Sequence, residues 1–244
     1  MLYLFPNLLE ESSPFPGGAL SHSAYLPTSV DAAVAQIDCL IAESEKEGRR
    51  FLRRFTFNDN KTFRDIPIRL LNEHTQENDK RAILKEMMQG GKWGLVSDCG
   101  MPCLADPGAD LVLMAREKGI PVETFAGPSS ILFALVLSGL GGQRFMFHGY
   151  LPKEEELLLQ ELKKIEKISL KEKSTHLFIE TPYRNHRLLE KILVALDAQT
   201  WLCIACDLTL PSQFIHTQQL KNWKQNQLPD LNKRPTVFVL KAAL

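Results

Sequence analysis

The sequence predicts an α/β protein, and three observations carry the prediction. Short apolar runs alternate along the chain with longer stretches of helical periodicity. One run, Trp93 to Val96, lies between Gly91 and Ser97-Asp98, the signature of a buried strand that ends in a turn. Two loops of small residues, 98–108 and 126–130, then flank one strand-helix-strand unit. In open parallel sheets a ligand crevice lies outside the carboxyl ends of the strands, so both loops can line one pocket.

Taken in order, Leu2 to Phe5 reads as the first strand and Pro6 to Gly18 as a proline-rich loop at its carboxyl end. Val30 to Gln36 is a short helix with Asp31 near its start, and Cys39 to Ala42 the next strand. Arg49, Arg50, Arg53 and Arg54 follow closely; guanidinium forks suit phosphate or carboxylate, and a solvated face paired with Glu43, Glu45 and Glu47 fits equally well. Ile66 to Leu71 is a further strand, ending in Asn72-Glu73-His74-Thr75, and Asp79 to Gln89 an amphipathic helix.

Beyond Trp93 to Val96, Gly100, Pro102, Pro107 and Gly108 fix the path of the loop and leave its backbone open to close approach. A helix follows with Leu111, Val112, Met114 and Ala115 on one face and closes before Gly119. Ile120 to Phe125 is a strand, and a serine of Ala126-Gly127-Pro128-Ser129-Ser130 can cap the apolar helix Ile131 to Leu140. Arg144 to Gly149, Thr175 to Glu180, Trp201 to Leu208 and Thr236 to Lys241 read as strands, and Glu154 to Lys167 as a charged helix with solvated faces.

Composition bounds the function. At 244 residues and 44% apolar content, the chain suits two small domains or one large one. Twenty-nine basic residues balance twenty-nine acidic ones, which excludes a broad electrostatic footprint and leaves room for a local patch. The amino terminus lacks a basic region before an apolar run, and Ile131 to Leu140 is half the span a bilayer needs, so a soluble, cytoplasmic protein is expected. Five cysteines fit a reducing compartment. Cys203 and Cys206, three apart on one strand, point to opposite faces; no metal site is expected from them or from Cys99 and Cys103.

SDCGMPCLADPG, then AGPSS, SGL and RFMFHGYLPK, together resemble the tetrapyrrole methylase superfamily of S-adenosyl-L-methionine (SAM)-dependent methyltransferases. The resemblance is strongest to the branch that methylates a cytidine ribose 2′-hydroxyl in small-subunit ribosomal RNA, whose pattern runs SDAGTPxISDPG, PGPSA, SGL and RFxFxGFLPR. It implies two α/β domains, 1–126 with a parallel sheet and 127–244 with a mixed sheet, and a cofactor cleft between them. It also implies SAM as cofactor, a ribosomal RNA or small-subunit substrate, and a homodimer. A tetrapyrrole or other small-molecule acceptor, or a SAM-binding protein without catalysis, are the alternatives.

By the same resemblance, backbone atoms around Asp98, Gly100, Met101, Pro102 and Ala105 hold the methionine part of the cofactor. Ser129, Ser130, Tyr150, Cys206 and Thr236 surround the rest, while Asp98 and Asp106 also suit a structural role tying loop amides. Glu73 and His74 match the middle of the family's HEHN; a carboxylate beside an imidazole can orient a ribose hydroxyl or take its proton. Departures are local. Pro6-Asn7-Leu8 is the only echo of the family's TPIGNL loop, and Cys206-Asp207 stands where Arg-Glu is usual. Members of the ribosomal RNA branch continue into a small helical segment after the last strand, and this sequence ends at Leu244.

Overall fold

A computed structural model describes residues 1–9, 24–58 and 60–243. Most of the predicted Pro6 to Gly18 loop, residues 10–18, lies outside them. The described residues up to Ser129 form one compact unit and those from Ser130 a second.

The first unit alternates strand and helix: β1 (Leu2–Phe5), α1 (Thr28–Val34), β2 (Cys39–Ala42), α2 (Glu45–Leu52), β3 (Ile68–Leu70), α3 (Glu77–Met87), β4 (Trp93–Val96), α4 (Ala109–Glu117) and β5 (Val122–Thr124). Its sheet runs β3-β2-β4-β1-β5 with every pairing parallel. β2 and β4 are buried along their whole length, which is why they read as unbroken apolar runs. Val30, Val34, Phe51 and Leu52 of α1 and α2 pack on Phe5, Leu40 and Val96. Ile83, Leu84, Leu111 and Ala115 of α3 and α4 pack with Leu2, Ile41 and Leu95 in a separate cluster. The sheet is therefore wound on both faces, with all strands delivering their loops to one carboxyl edge. α3 starts two residues before the predicted Asp79, because that carboxylate accepts the Gln76 amide at 3.3 Å and so occupies the first turn.

The second unit comprises α5 (Ser130–Ser138), β6 (Phe145–Tyr150), α6 (Glu155–Glu172), β7 (Thr175–Ile179), α7 (Asn185–Ala195), β8 (Trp201–Cys206), β9 (Phe214–Gln219), α8 (Leu220–Gln225) and β10 (Thr236–Lys241). Its mixed sheet runs β6-β7-β10-β8-β9, parallel only between β6 and β7. β10 occupies the middle, and Phe238 on it stacks on Phe178 of β7 at 5.8 Å between ring centres. Leu162, Ile165, Leu189 and Ile192 of α6 and α7 join that core. α6 runs five residues beyond the predicted Lys167 and stops where Lys173 turns left-handed, at φ 54°. No described helix is long and apolar enough to cross a membrane.

Candidate active site

The carboxyl edge of the first sheet gathers the two small-residue loops against the loop that leaves β1. A Cβ added to Gly127 would lie 2.0 Å from Pro6 Cβ and 3.4 Å from the Met101 sulfur, so only glycine lets these backbones approach. A Cβ on Gly100 would lie 3.5 Å from the Pro128 carbonyl oxygen. Asn7, buried, fastens the arrangement: its Nδ2 donates to the carbonyls of Ser97 at 2.9 Å and Asp98 at 2.8 Å, and its amide donates to Gly100 at 2.8 Å. Its Oδ1 accepts from its neighbour Leu8 and from the Arg54 guanidinium at 2.6 Å. Within the 98–108 loop, Cys103 and Ala105 hold φ of 66° and 69°, a left-handed backbone that costs side-chain-bearing residues energy and clusters at ligand sites.

Three carboxylates converge here, one from the end of β2 and two, Asp98 and Asp106, from the 98–108 loop itself. Glu43, at the end of β2, accepts the Asp98 amide at 3.0 Å. Burial, followed by Glu43 and Asp98, pushes the Asp106 carboxyl up to about 7. Glu43 is raised by burial and by the charges of Asp98 and Glu73. Asp98, more exposed at the rim, is raised by partial desolvation and then by Glu47. Ser97 Oγ is buried and meets no partner within hydrogen-bonding geometry, though it lies close enough to oppose the rise at Asp106. Carboxylates whose charge is disfavoured, next to an unpaired hydroxyl and a strained backbone, fit a cationic, hydrogen-bonding ligand.

Glu73 and His74 follow β3 at the same edge. Their side chains are more than 80% exposed, and His74 Nε2 lies 3.5 Å from Glu73 Oε1. His74, with Asn72, Thr75 and Arg69, also lines a surface pocket of about 440 Å³ against α3. The arginines of α2 divide. Arg49 is structural, donating to the carbonyls of Phe63 at 2.8 Å and Ile66 at 2.6 Å and pairing with Glu45. Arg50, Arg53 and Arg54 turn with Lys46 towards a second pocket of about 440 Å³.

In the second unit, register brings the remaining predicted residues to one edge of the sheet. Tyr150 ends β6 opposite Ile179, and Cys206 ends β8 opposite Thr236 at the start of β10. Cys206 and Thr236 are buried and Tyr150 is exposed, while Ser130 opens α5. Just past Cys206, Asp207 pairs with Arg234 at 2.8 Å and accepts from Ser212 at 2.8 Å, its φ of 51° held by this latch. Glu180 pairs with Arg184, and Tyr183 stands exposed under Lys233. Among the described residues no group of three or more His, Cys, Asp or Glu could hold a metal.

Two residues of this site escaped the sequence reading. Asn7 was visible only as an echo of a loop motif, and its bonds join positions about 90 apart. Glu43 was read as a partner for arginine; the one available signal was a carboxylate placed directly after a buried strand.

Solved structures share the fold. The methyltransferase CobJ superposes with a TM-score of 0.62 at 16% identity, covering 99% of this chain and 94% of that one. Diphthine synthase gives 0.64 at 14%, covering 99% and 89%. The family match and the curated relatives make the chain a SAM-dependent methyltransferase, and its α/β architecture agrees with theirs in fold. More narrowly, the family model described as Tetrapyrrole (Corrin/Porphyrin) Methylases matches residues 22–223, and the chain belongs to that family. It is 28% identical over 206 residues to Ribosomal RNA small subunit methyltransferase I of Haemophilus influenzae, covering 84% of this chain and 69% of the relative. Matches to relatives of that name span 50% to 71% of their length.

Proposed function

We propose that this protein transfers the methyl group of SAM to a ribose 2′-hydroxyl in small-subunit ribosomal RNA, acting in the cytoplasm as a homodimer. The observation that supports the donor half is the convergence of Gly127, Pro6 and the strained 98–108 loop beside the carboxylates of Glu43, Asp98 and Asp106. The acceptor half rests on the relatives and on Glu73 and His74.

When bound, SAM supplies an electrophilic methyl on a sulfonium. Backbone groups from Asp98 through Gly100, Met101, Pro102 and Ala105 hold its methionine part, and Ser129 with Ser130, Tyr150, Cys206 and Thr236 holds the remainder. The carboxylates of Asp98, Asp106 and Glu43 offset positive charge. His74 Nε2 accepts the proton of the acceptor hydroxyl, and Glu73 steadies the imidazolium. Alignment and exclusion of water account for the rest of the rate. Val136 and Leu137 on α5 and Phe145 and Met146 on β6 are exposed apolar side chains, which supports a second copy as partner.

The test is transfer of labelled methyl from SAM to small ribosomal subunits, with SAM affinity measured by calorimetry. Saturable SAM binding and RNA labelling are expected. His74→Ala should lower transfer by about 10²-fold at unchanged SAM affinity. Label that enters no RNA removes the acceptor, and full transfer by His74→Ala removes the base.

A further inference from the structure

We propose that Asn72 is a positioning residue that aims His74 at the acceptor hydroxyl; this rests on the assignment of His74 as base above and deepens it. The His74 side chain is 85% exposed, so packing does little to direct the imidazole, and the backbone from which it projects sets where it can reach. That backbone is gripped at both of its polar groups. The His74 amide donates to Asn72 Oδ1 at 3.0 Å, and the His74 carbonyl accepts from Gln76 Nε2 at 3.0 Å. Asn72 also closes the turn from its own backbone: its amide donates to Thr75 Oγ1 at 2.8 Å, and its carbonyl accepts the Thr75 amide at 3.0 Å. An asparagine oxygen that accepts the amide two residues on builds an Asx turn, which fixes the backbone it spans. The spanned stretch here is Glu73 and His74.

The other end of the same side chain reaches back to β2. Leu71 donates to the Ala42 carbonyl at 2.9 Å, and Asn72 Nδ2 takes the next carbonyl along, that of Glu43, at 3.2 Å. A side chain thus carries the β2–β3 ladder one step past the strand ends. Glu43 in turn accepts the Asp98 amide through its carboxylate at 3.0 Å. His74, Asn72, Glu43 and Asp98 therefore form one series of contacts, all inside the first unit, between the base and the loop assigned to the donor. Such a series holds the imidazole at a set distance from that loop, where a displacement of about 1 Å can cost about 10²-fold in rate. An amide suits the post because it offers an acceptor to His74 and a donor to Glu43 at once; an ionised aspartate could only accept.

The experiment is a double-mutant cycle on transfer of labelled methyl from SAM to small ribosomal subunits, with kcat and KM read separately and SAM affinity by calorimetry. Asn72→Ala should lower kcat about tenfold while KM for the subunits and SAM affinity stay within about twofold of the parent. Asn72→Ser, whose hydroxyl can still accept the His74 amide, should recover to within about threefold of the parent. In the His74→Ala background, Asn72→Ala should cost no further rate, because a residue that acts only through the imidazole has nothing left to aim. Equal fold losses in both backgrounds, or a loss of SAM affinity that matches the loss of rate, make Asn72 a general support for the fold and overturn the proposal while leaving the base intact. An unaltered kcat in Asn72→Ala overturns it in the same way. Full transfer by His74→Ala removes the base, and the positioning role falls with it.

Discussion

Gly127→Ala is the sharpest test of how the donor loop is built. The added methyl would lie 2.0 Å from Pro6 Cβ, whereas carbon atoms rest at about 3.5 to 4.0 Å, so the backbones must separate by about 1.5 Å. Proline cannot rotate away, and Pro6 is joined to Asn7, whose bonds to Ser97, Asp98 and Gly100 are 2.8 to 2.9 Å long. A shift of that size breaks two or three of them. Overpacking costs about 1–3 kcal/mol and each lost buried hydrogen bond about 1 kcal/mol, so a loss of about 3 kcal/mol is expected. Urea unfolding of the first unit should show a midpoint lower by about 1.5 M, taking a slope of about 2 kcal/mol/M. Calorimetry should show SAM binding weakened at least about tenfold, 1.4 kcal/mol of the strain reaching the site. A matched control is Gly119→Ala, which meets no atom within 4 Å and carries only the strain of φ +71°. Equal stability and SAM affinity in Gly127→Ala and the parent would refute the close approach.

Two pH effects follow from the same kind of reasoning. Asp106 keeps its proton to about 7 in the folded chain and releases it near 3.8 when unfolded, so its contribution is greatest in acid and is lost as pH rises through 7. The linkage limit is about 4 kcal/mol, and residual solvent around the carboxyl reduces it to about 2 kcal/mol. Asp106→Asn should therefore stabilise the first unit at pH 8 and flatten its profile between pH 4 and 7; coincident profiles would contradict this. His176 behaves in the opposite sense. Burial, then neighbouring His148, lowers it from 6.5 to about 4. The unfolded chain takes up that proton first, so stability present above pH 6.5 declines towards pH 4 by up to about 1.4 kcal/mol per pH unit. The second unit of His176→Gln should show a shallower acid limb in chemical denaturation, and an unchanged slope would rule the histidine out as its source.

What the sequence made legible was local. Trp93 to Val96 and the loops at 98–108 and 126–130 could be read because apolar runs bounded by Gly and Pro have few other solutions. The edge strand β3 came out shorter than Ile66 to Leu71 because it pairs on one side only, with β2. The arginine run could not be resolved from spacing: Arg49 spends its guanidinium on loop carbonyls while Arg53 faces a pocket, and nothing in the helical period distinguishes them. Contacts between distant segments were out of reach. Glu43 joins Asp98 and Asp106 in one electrostatic unit only when the end of β2 meets the 98–108 loop, and the apposition of Cys206 with Thr236 depends on register.

The position of β10 sets a timetable for the molecule's manufacture. Among the described strands Thr236–Lys241 alone joins β7 to β8, so without it the second sheet is two disconnected strand pairs. Every strand of the first sheet has been synthesised by Thr124, and that half can close while translation continues. The later half stays open until its last strand leaves the ribosome, exposing Phe178 and its neighbours to chaperones and to misassembly for that interval.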